Sequence, residues 1–163
     1  MIDGPDRYVL HATCASVPRW ATRSSSDAAG LIRTPDGGLA VIMIDVQGSG
    51  PGGSTLARSL FAQASNLLHA GLTADLVVAG LHLNLHQQRG GKVLASILLA
   101  AQSSDARAVQ IVTAGDHAIS IGASGTISTE LLASRAAGSS RGVDAVSRVI
   151  AFAPDTVLVL PND

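Results

Sequence analysis

The chain has 163 residues, 11 basic and 12 acidic side chains, a formal net charge of −1 and a hydrophobic share of 47%. It is too apolar to stay disordered and long enough to bury a core, so one domain spanning residues 1–163 is expected. Its weak charge excludes the electrostatic footprint of a nucleic-acid or membrane-surface binder, and an aromatic content of 2% removes stacking platforms for bases. Cys14 is the lone cysteine, which rules out an internal disulfide and fits a reducing compartment. No apolar run approaches the roughly 18 residues of a membrane span, and the N-terminus lacks a basic-then-apolar signal. These features describe a soluble, cytoplasmic protein.

In chain order, Arg7–Thr13 is β-prone and reads as a first strand. Residues 17–27 are polar and serine-rich, hence a loop, and residues 28–33 form a short second strand. Thr34-Pro-Asp-Gly-Gly38 is a turn, because Pro presets one backbone angle and Asp-Gly-Gly tolerates positive ones. It makes a hairpin into Leu39–Val46, an apolar β-branched run expected to be buried on both faces. A glycine-rich turn follows. Leu56, Leu60, Ala64, Leu67 and Leu68 then recur at helical spacing, which predicts a helix over Ser54–Ala70, ended by Gly71. A second helix begins at Thr73-Ala-Asp75 and runs to Gln88, although Leu81-His-Leu-Asn-Leu85 alternates like a strand. Lys92–Ala101, Ala106–Thr113 and Ala118–Ile121 read as strands too closely spaced for crossover helices, and so antiparallel. Residues 125–145 show no period. Val146–Phe152 and Thr156–Leu160 close the chain as strands. Strands and helices are segregated rather than alternating, which makes the class α+β.

Several motifs compete around Asp45, the acid that ends the apolar run. A carboxylate at the end of a buried strand needs a partner, since an unpaired buried charge is costly. Gly48, Gly50 and Gly53 fit G-x-G-x-x-G, the dinucleotide fingerprint, but the acid and two further residues separate the strand from the first glycine. The same glycines fit G-x-x-x-x-G, yet Ser54 stands where a phosphate-binding loop has lysine. His82 and His86 are four apart, on one face of a helix, but Leu83 replaces the Glu of a zinc-protease pattern. His11 and His69 have no companions. Asp27 and Asp45 form the better pair: the short turn between their strands lets both reach the same sheet end, as all-oxygen ligation of Mg²⁺ or Mn²⁺ demands. Alternatively Asp45 stabilises the positive end of the following helix.

Ile44-Asp-Val-Gln-Gly-Ser-Gly-Pro-Gly52 resembles the GDVSGHG-type signature of PPM (protein phosphatase 2C-like) serine phosphatases, in their sporulation stage II E branch. Ser25-Ser-Asp27 is similar to that branch's Gly-Gly-Asp, Val112-Thr-Ala-Gly-Asp-His117 to its Asn-Ala-Gly-His, and Pro154–Asp163 to its Gly-Asp-x-Leu-Leu-Leu-Tyr-Thr-Asp-Gly strand. The four pieces come in the family's order, and small stand-alone stress-response phosphatases are the most similar type. The resemblance implies an α-β-β-α sandwich of two antiparallel sheets flanked by helices. It also implies a two-metal site for Mn²⁺ or Mg²⁺ and hydrolysis of a phosphomonoester on a phosphorylated regulatory protein. Carried over by position, Asp45 bridges the metals, the Val46 carbonyl ligates one and Asp27 holds the second. The C-terminal ligand falls on Asn162 or, one residue on, Asp163; a carboxylate suits the ion better. Ser49 stands in place of the branch's His and Ile44 in place of its Gly, and a further distal Asp has no counterpart. The alternative implication is therefore a degenerate phosphatase fold that binds a phosphoprotein without hydrolysing it.

Overall fold

The computed structural model describes residues 11–15, 25–48, 51–102, 107–139, 142–153 and 155–161. In chain order the elements are β1 (Asp27–Arg33), β2 (Leu39–Val46), α1 (Pro51–His69), α2 (Ala74–Arg89), β3 (Ala95–Gln102), β4 (Ala108–Ala114), β5 (His117–Ala123), β6 (Thr126–Leu132), β7 (Val146–Ala151) and β8 (Val157–Val159). They make a five-stranded sheet, β1-β2-β3-β4-β7, and a three-stranded sheet, β6-β5-β8. Every pairing is antiparallel.

Strand β2 shows why the sandwich forms. Its residues alternate between two cores, as a period of two requires. Ile42, Ile44 and Val46 face the helices, packing with Leu60 and Leu68 of α1 and Val77, Val78, Leu81 and Leu85 of α2. Val41 and Met43 point the other way, to Ile119 and Ile121 of β5, Leu132 of β6 and Leu158 of β8. Both helices thus lie on the outer face of the large sheet, and the small sheet covers its inner face. The expected α+β sandwich of two antiparallel sheets is present, with its two helices both on the large sheet. Among the described residues no helix covers the outer face of the small sheet, where Ile127, Leu131, Val157 and Val159 are exposed.

The structure revises several details. Helix α1 begins at Pro51, three residues before the expected Ser54, because proline suits the first helical position. Gly53 is therefore helical, and only the turn at Gly48, with φ of 120°, remains of the supposed glycine loop among the described residues. Strand β2 pairs antiparallel with both its neighbours, so these glycines sit in no parallel βαβ unit, and this removes the dinucleotide fingerprint. In α2 the helical period wins over the alternation, since Leu81, His82 and Leu85 are buried while Leu83 is 53% exposed. Strand β6 lies in the stretch without a pattern: Ser124 and Gly125 both take positive φ, as a two-residue hairpin turn needs, and lead into an exposed edge strand. Residues 11–13 of the expected first strand are irregular, and its earlier part lies outside the described residues, as do Asn162 and Asp163.

Candidate metal centre

The hairpin Thr34-Pro-Asp-Gly-Gly38 sets the register of β1 and β2. The Gly37 N–H donates to the Thr34 carbonyl at 2.9 Å and the Thr34 N–H to the Gly38 carbonyl at 3.1 Å. From that turn the strands pair without a bulge, Arg33 opposite Leu39 through to Asp27 opposite Asp45. The two acids are therefore direct cross-strand partners, with Cβ atoms about 5 Å apart. Alternation puts them on the same face as Ala29 and Met43, the face turned to the small sheet. Like charges directly opposite each other destabilise a sheet. A cation between them reverses the sign.

The surroundings hold this end in place. Ser25 Oγ donates to Asp27 Oδ2 at 2.6 Å, and the Asp27 N–H returns to Ser25 Oγ at 3.2 Å. The Val46 N–H donates to the Ser26 carbonyl at 3.2 Å. Since the Val46 side chain is buried among the helices, its carbonyl is the only group it could offer a metal. Asp45 is also opposite Ser96 of β3, on the same inner face. Ser96 in turn abuts the β4–β5 turn: a Cβ on Gly115, whose φ is 103°, would sit 2.6 Å from Ser96 Oγ. Hence Asp27, Asp45, Ser96 and the Gly115–Asp116 turn succeed one another across one sheet end.

Sequence reasoning singled out Asp27, Asp45 and Val46, and the fold brings them together. Asp163 lies outside the described residues. Ser96 and Ser134, which bonds the Gly115 turn, went unnoticed because neither stands in a motif; only strand register reveals them. Among the described residues no group of three or more His, Cys, Asp or Glu converges as a metal cluster. His82 and His86 stack at 6.4 Å between ring centroids, but both Nδ1 atoms are engaged with the Gly138 backbone, a structural role for the pair. A cavity of about 750 Å³ opens between the sheets and reaches Asp27 past Val41, Met43, Val109 and Leu158.

Known proteins share this fold. The chain matches the family Stage II sporulation protein E over residues 35–163. Asp27 precedes that stretch, so its place in the site rests on register alone. No curated protein matches the chain. Among solved structures, a serine/threonine phosphatase of S. agalactiae superposes with a TM-score of 0.72 at 10% identity, over 85% of this chain and 73% of that one. The RsbU and RsbW domains of a Mycobacterium tuberculosis protein give a TM-score of 0.66 at 19% identity, over 79% of this chain and 37% of that one. A structure from the bacterial stressosome gives 0.69 at 17% identity, covering 87% and 70%. At these identities the likeness is one of fold. The family match reaches further, and by it the chain belongs to the Stage II sporulation protein E family, a branch of the PPM-type serine/threonine phosphatases.

Proposed function

We propose that the chain, as one phosphatase unit, removes phosphate from phosphoserine or phosphothreonine of a regulatory protein. It would use Mn²⁺ or Mg²⁺ held by Asp45, Asp27 and the Val46 carbonyl, with Asp163 as the further carboxylate. The observation that carries this reading is the direct opposition of Asp27 and Asp45 on the inner face of the sandwich. Carboxylate and carbonyl oxygens are the donors that hard cations take, so the residues present fit the group.

Phosphatases of this family use divalent metals. Such ions lower the pKa of coordinated water and offset charge developing on a phosphoryl group. The protein's own part is positional. The buried β2 strand fixes Asp45, and the Ser25 hydroxyl orients Asp27. Without cations the paired acids repel a phosphate dianion, so affinity for the substrate depends on the metal. A regulatory phosphoprotein as partner is supported by the RsbU/RsbW and stressosome neighbours, whose own contexts are regulatory. A cytoplasmic setting belongs to the same reading, in keeping with the free Cys14.

The test is hydrolysis of an aryl phosphate by the purified chain, expected only with added Mn²⁺ or Mg²⁺. Asp45→Asn should lower it by about a hundredfold or more, the scale of losing a preorganised electrostatic partner. Activity that survives in this variant removes Asp45 from the site. A second reading, a phosphoprotein-binding module without turnover, is favoured by Ile44 and Ser49 in place of the family's Gly and His. The two separate on metal-induced stabilisation, since an ion at 100 times its Kd adds about 2.7 kcal/mol. A melting temperature indifferent to every divalent ion favours the module.

A further inference from the structure

Residues 133–139, which follow β6, run back along the active end of the large sheet. Where β4 turns away from β3, Ala137 takes its place: it exchanges two backbone hydrogen bonds with Ala95, at 2.8 and 3.1 Å. This strap is fastened at both ends. At one end Ser134 Oγ accepts the Gly115 N–H at 3.0 Å and lies 3.2 Å from the Gly115 carbonyl and 3.4 Å from that of Thr113, either of which its O–H can reach. The Ser134 N–H donates to Asp116 Oδ1 at 3.2 Å. At the other end the buried Gly138 sits between two histidines of α2. Its N–H donates to His82 Nδ1 at 3.3 Å, and its carbonyl lies 3.2 Å from His86 Nδ1. Gly138 is required there, because its φ is 84° and a Cβ would meet Leu85 Cδ2 and the Val93 carbonyl at 2.7 Å.

We propose that Ser134 is a positioning residue for the site: it holds the Gly115–Asp116 turn against Ser96, beside the strand position opposite Asp45, at the end of a strap that neutral His82 fastens to α2. The bearing of the turn on hydrolysis rests on the proposed function; the strap itself does not.

The chemistry of the two histidines makes the fastening sensitive to pH. An Nδ1 that accepts an N–H must be unprotonated, so His82 is neutral with its proton on Nε2. A carbonyl only accepts, so His86 Nδ1 carries a proton, and further protonation of His86 leaves that bond intact. Protonation of His82 instead turns its Nδ1 into a donor facing the Gly138 N–H. Burial, and then the neighbouring His86, hold the His82 pKa below its ordinary value. No other charge bears on this ring among the described residues. The core around α2 is built by Ala64 and Leu68 of α1, Ile97 and Leu99 of β3, and Val112 and Ala114 of β4. The strap's one ionisable residue, Arg135, pairs with Asp144 at 3.7 Å.

Site-resolved amide hydrogen exchange on the full chain, corrected for intrinsic rates, at about pH 5 and about pH 8, tests this. Gly138, Ser134 and Gly115 should lose protection together on acidification. In His82→Asn, whose side-chain oxygen accepts without titrating, protection at the three amides should no longer depend on pH. In Ser134→Ala, exchange at Gly115 should rise about tenfold, the equivalent of one hydrogen bond, while Gly138 keeps its protection. Ser134→Thr, which retains the hydroxyl, should restore Gly115. Nitrogen chemical shifts of His82 in the unaltered protein should show the proton on Nε2, a readout that needs no variant. Unchanged exchange at Gly115 in Ser134→Ala, acid loss that persists in His82→Asn, or a proton on His82 Nδ1 overturns the proposal. A parallel assay of Mn²⁺-dependent hydrolysis should show Ser134→Ala slower and the acid limb moved in His82→Asn. If the unaltered chain hydrolyses nothing, the proposed function fails while the exchange results still decide the strap.

Discussion

The two faces of the large sheet are built from the same strands and differ in kind. The outer face is closed: Ile42, Val77, Val78, Leu81, Ile97, Leu99 and Val112 are all fully buried beneath α1 and α2. The inner face is looser. Met43 and Ile150 keep 8% and 7% of their surface, Thr113 Oγ1 is buried with no hydrogen-bond partner among the described residues, and a cavity runs in to Asp27. Both opposed acids stand on this second face. The packing that holds the fold together is thus separated, by one strand thickness, from the face that holds the candidate metal site. Function can tolerate polar and open structure there because stability is supplied on the other side.

Substitutions of neighbouring residues on β2 should break or confirm this division. Ile44→Ala, on the closed face, should cost about 3 kcal/mol in denaturant unfolding, within the usual range for a large buried aliphatic. Met43→Ala, one residue away but beside the cavity, should cost about half as much, because its surroundings are already loosely packed. Equal costs would refute the contrast. Gly138→Ala tests the strap that joins the two faces. Its new methyl group meets backbone and Leu85 at 2.7 Å in a left-handed conformation, so a loss of about 2 kcal/mol is expected.

The same division governs what the sequence made legible. The closed face was readable because burial on both faces leaves a continuous apolar run, and β2 came out with the bounds Leu39–Val46. The opposition of Asp27 and Asp45 was readable for a local reason: a five-residue turn with strong Pro and Gly signals sets the hairpin register, and register places the acids. The start of α1 was misplaced because Gly52 and Gly53 read as a loop, whereas helix N-termini admit glycine after proline at little cost. Strand β6 and the strap escaped because they lack a buried stripe. Their ties are single hydrogen bonds to residues distant in sequence, Ser134 to Gly115 and Gly138 to His82, and no periodicity records those.

Stability against pH sharpens the comparison from the closed side, where His82 is buried. Its folded pKa is depressed below the ordinary histidine value of 6.5, so the unfolded chain binds more protons as pH falls. The stability that neutral His82 contributes is therefore complete above about pH 6.5 and is lost as pH falls through the folded pKa. Melting temperatures measured across this window should decline towards acid, and His82→Asn should flatten that part of the profile. A decline of unchanged size in the variant would assign it to other groups.

The smallest effect is also the most diagnostic, because its sign should depend on conditions. Asp27→Asn removes one of the two opposed charges and keeps an oxygen that can accept from Ser25 Oγ. In chelator the variant should be more stable than the parent by about 0.5 kcal/mol, the usual size of a cross-strand charge term. With Mn²⁺ or Mg²⁺ the order should invert, since the parent gains the binding free energy of the ion and the variant loses part of it. Unfolding curves for both proteins, with and without the ion, decide the matter. A cap or purely structural role for these acids predicts no inversion, because neither role couples to the cation. An inversion would tie the strain on the open face to the ion that relieves it.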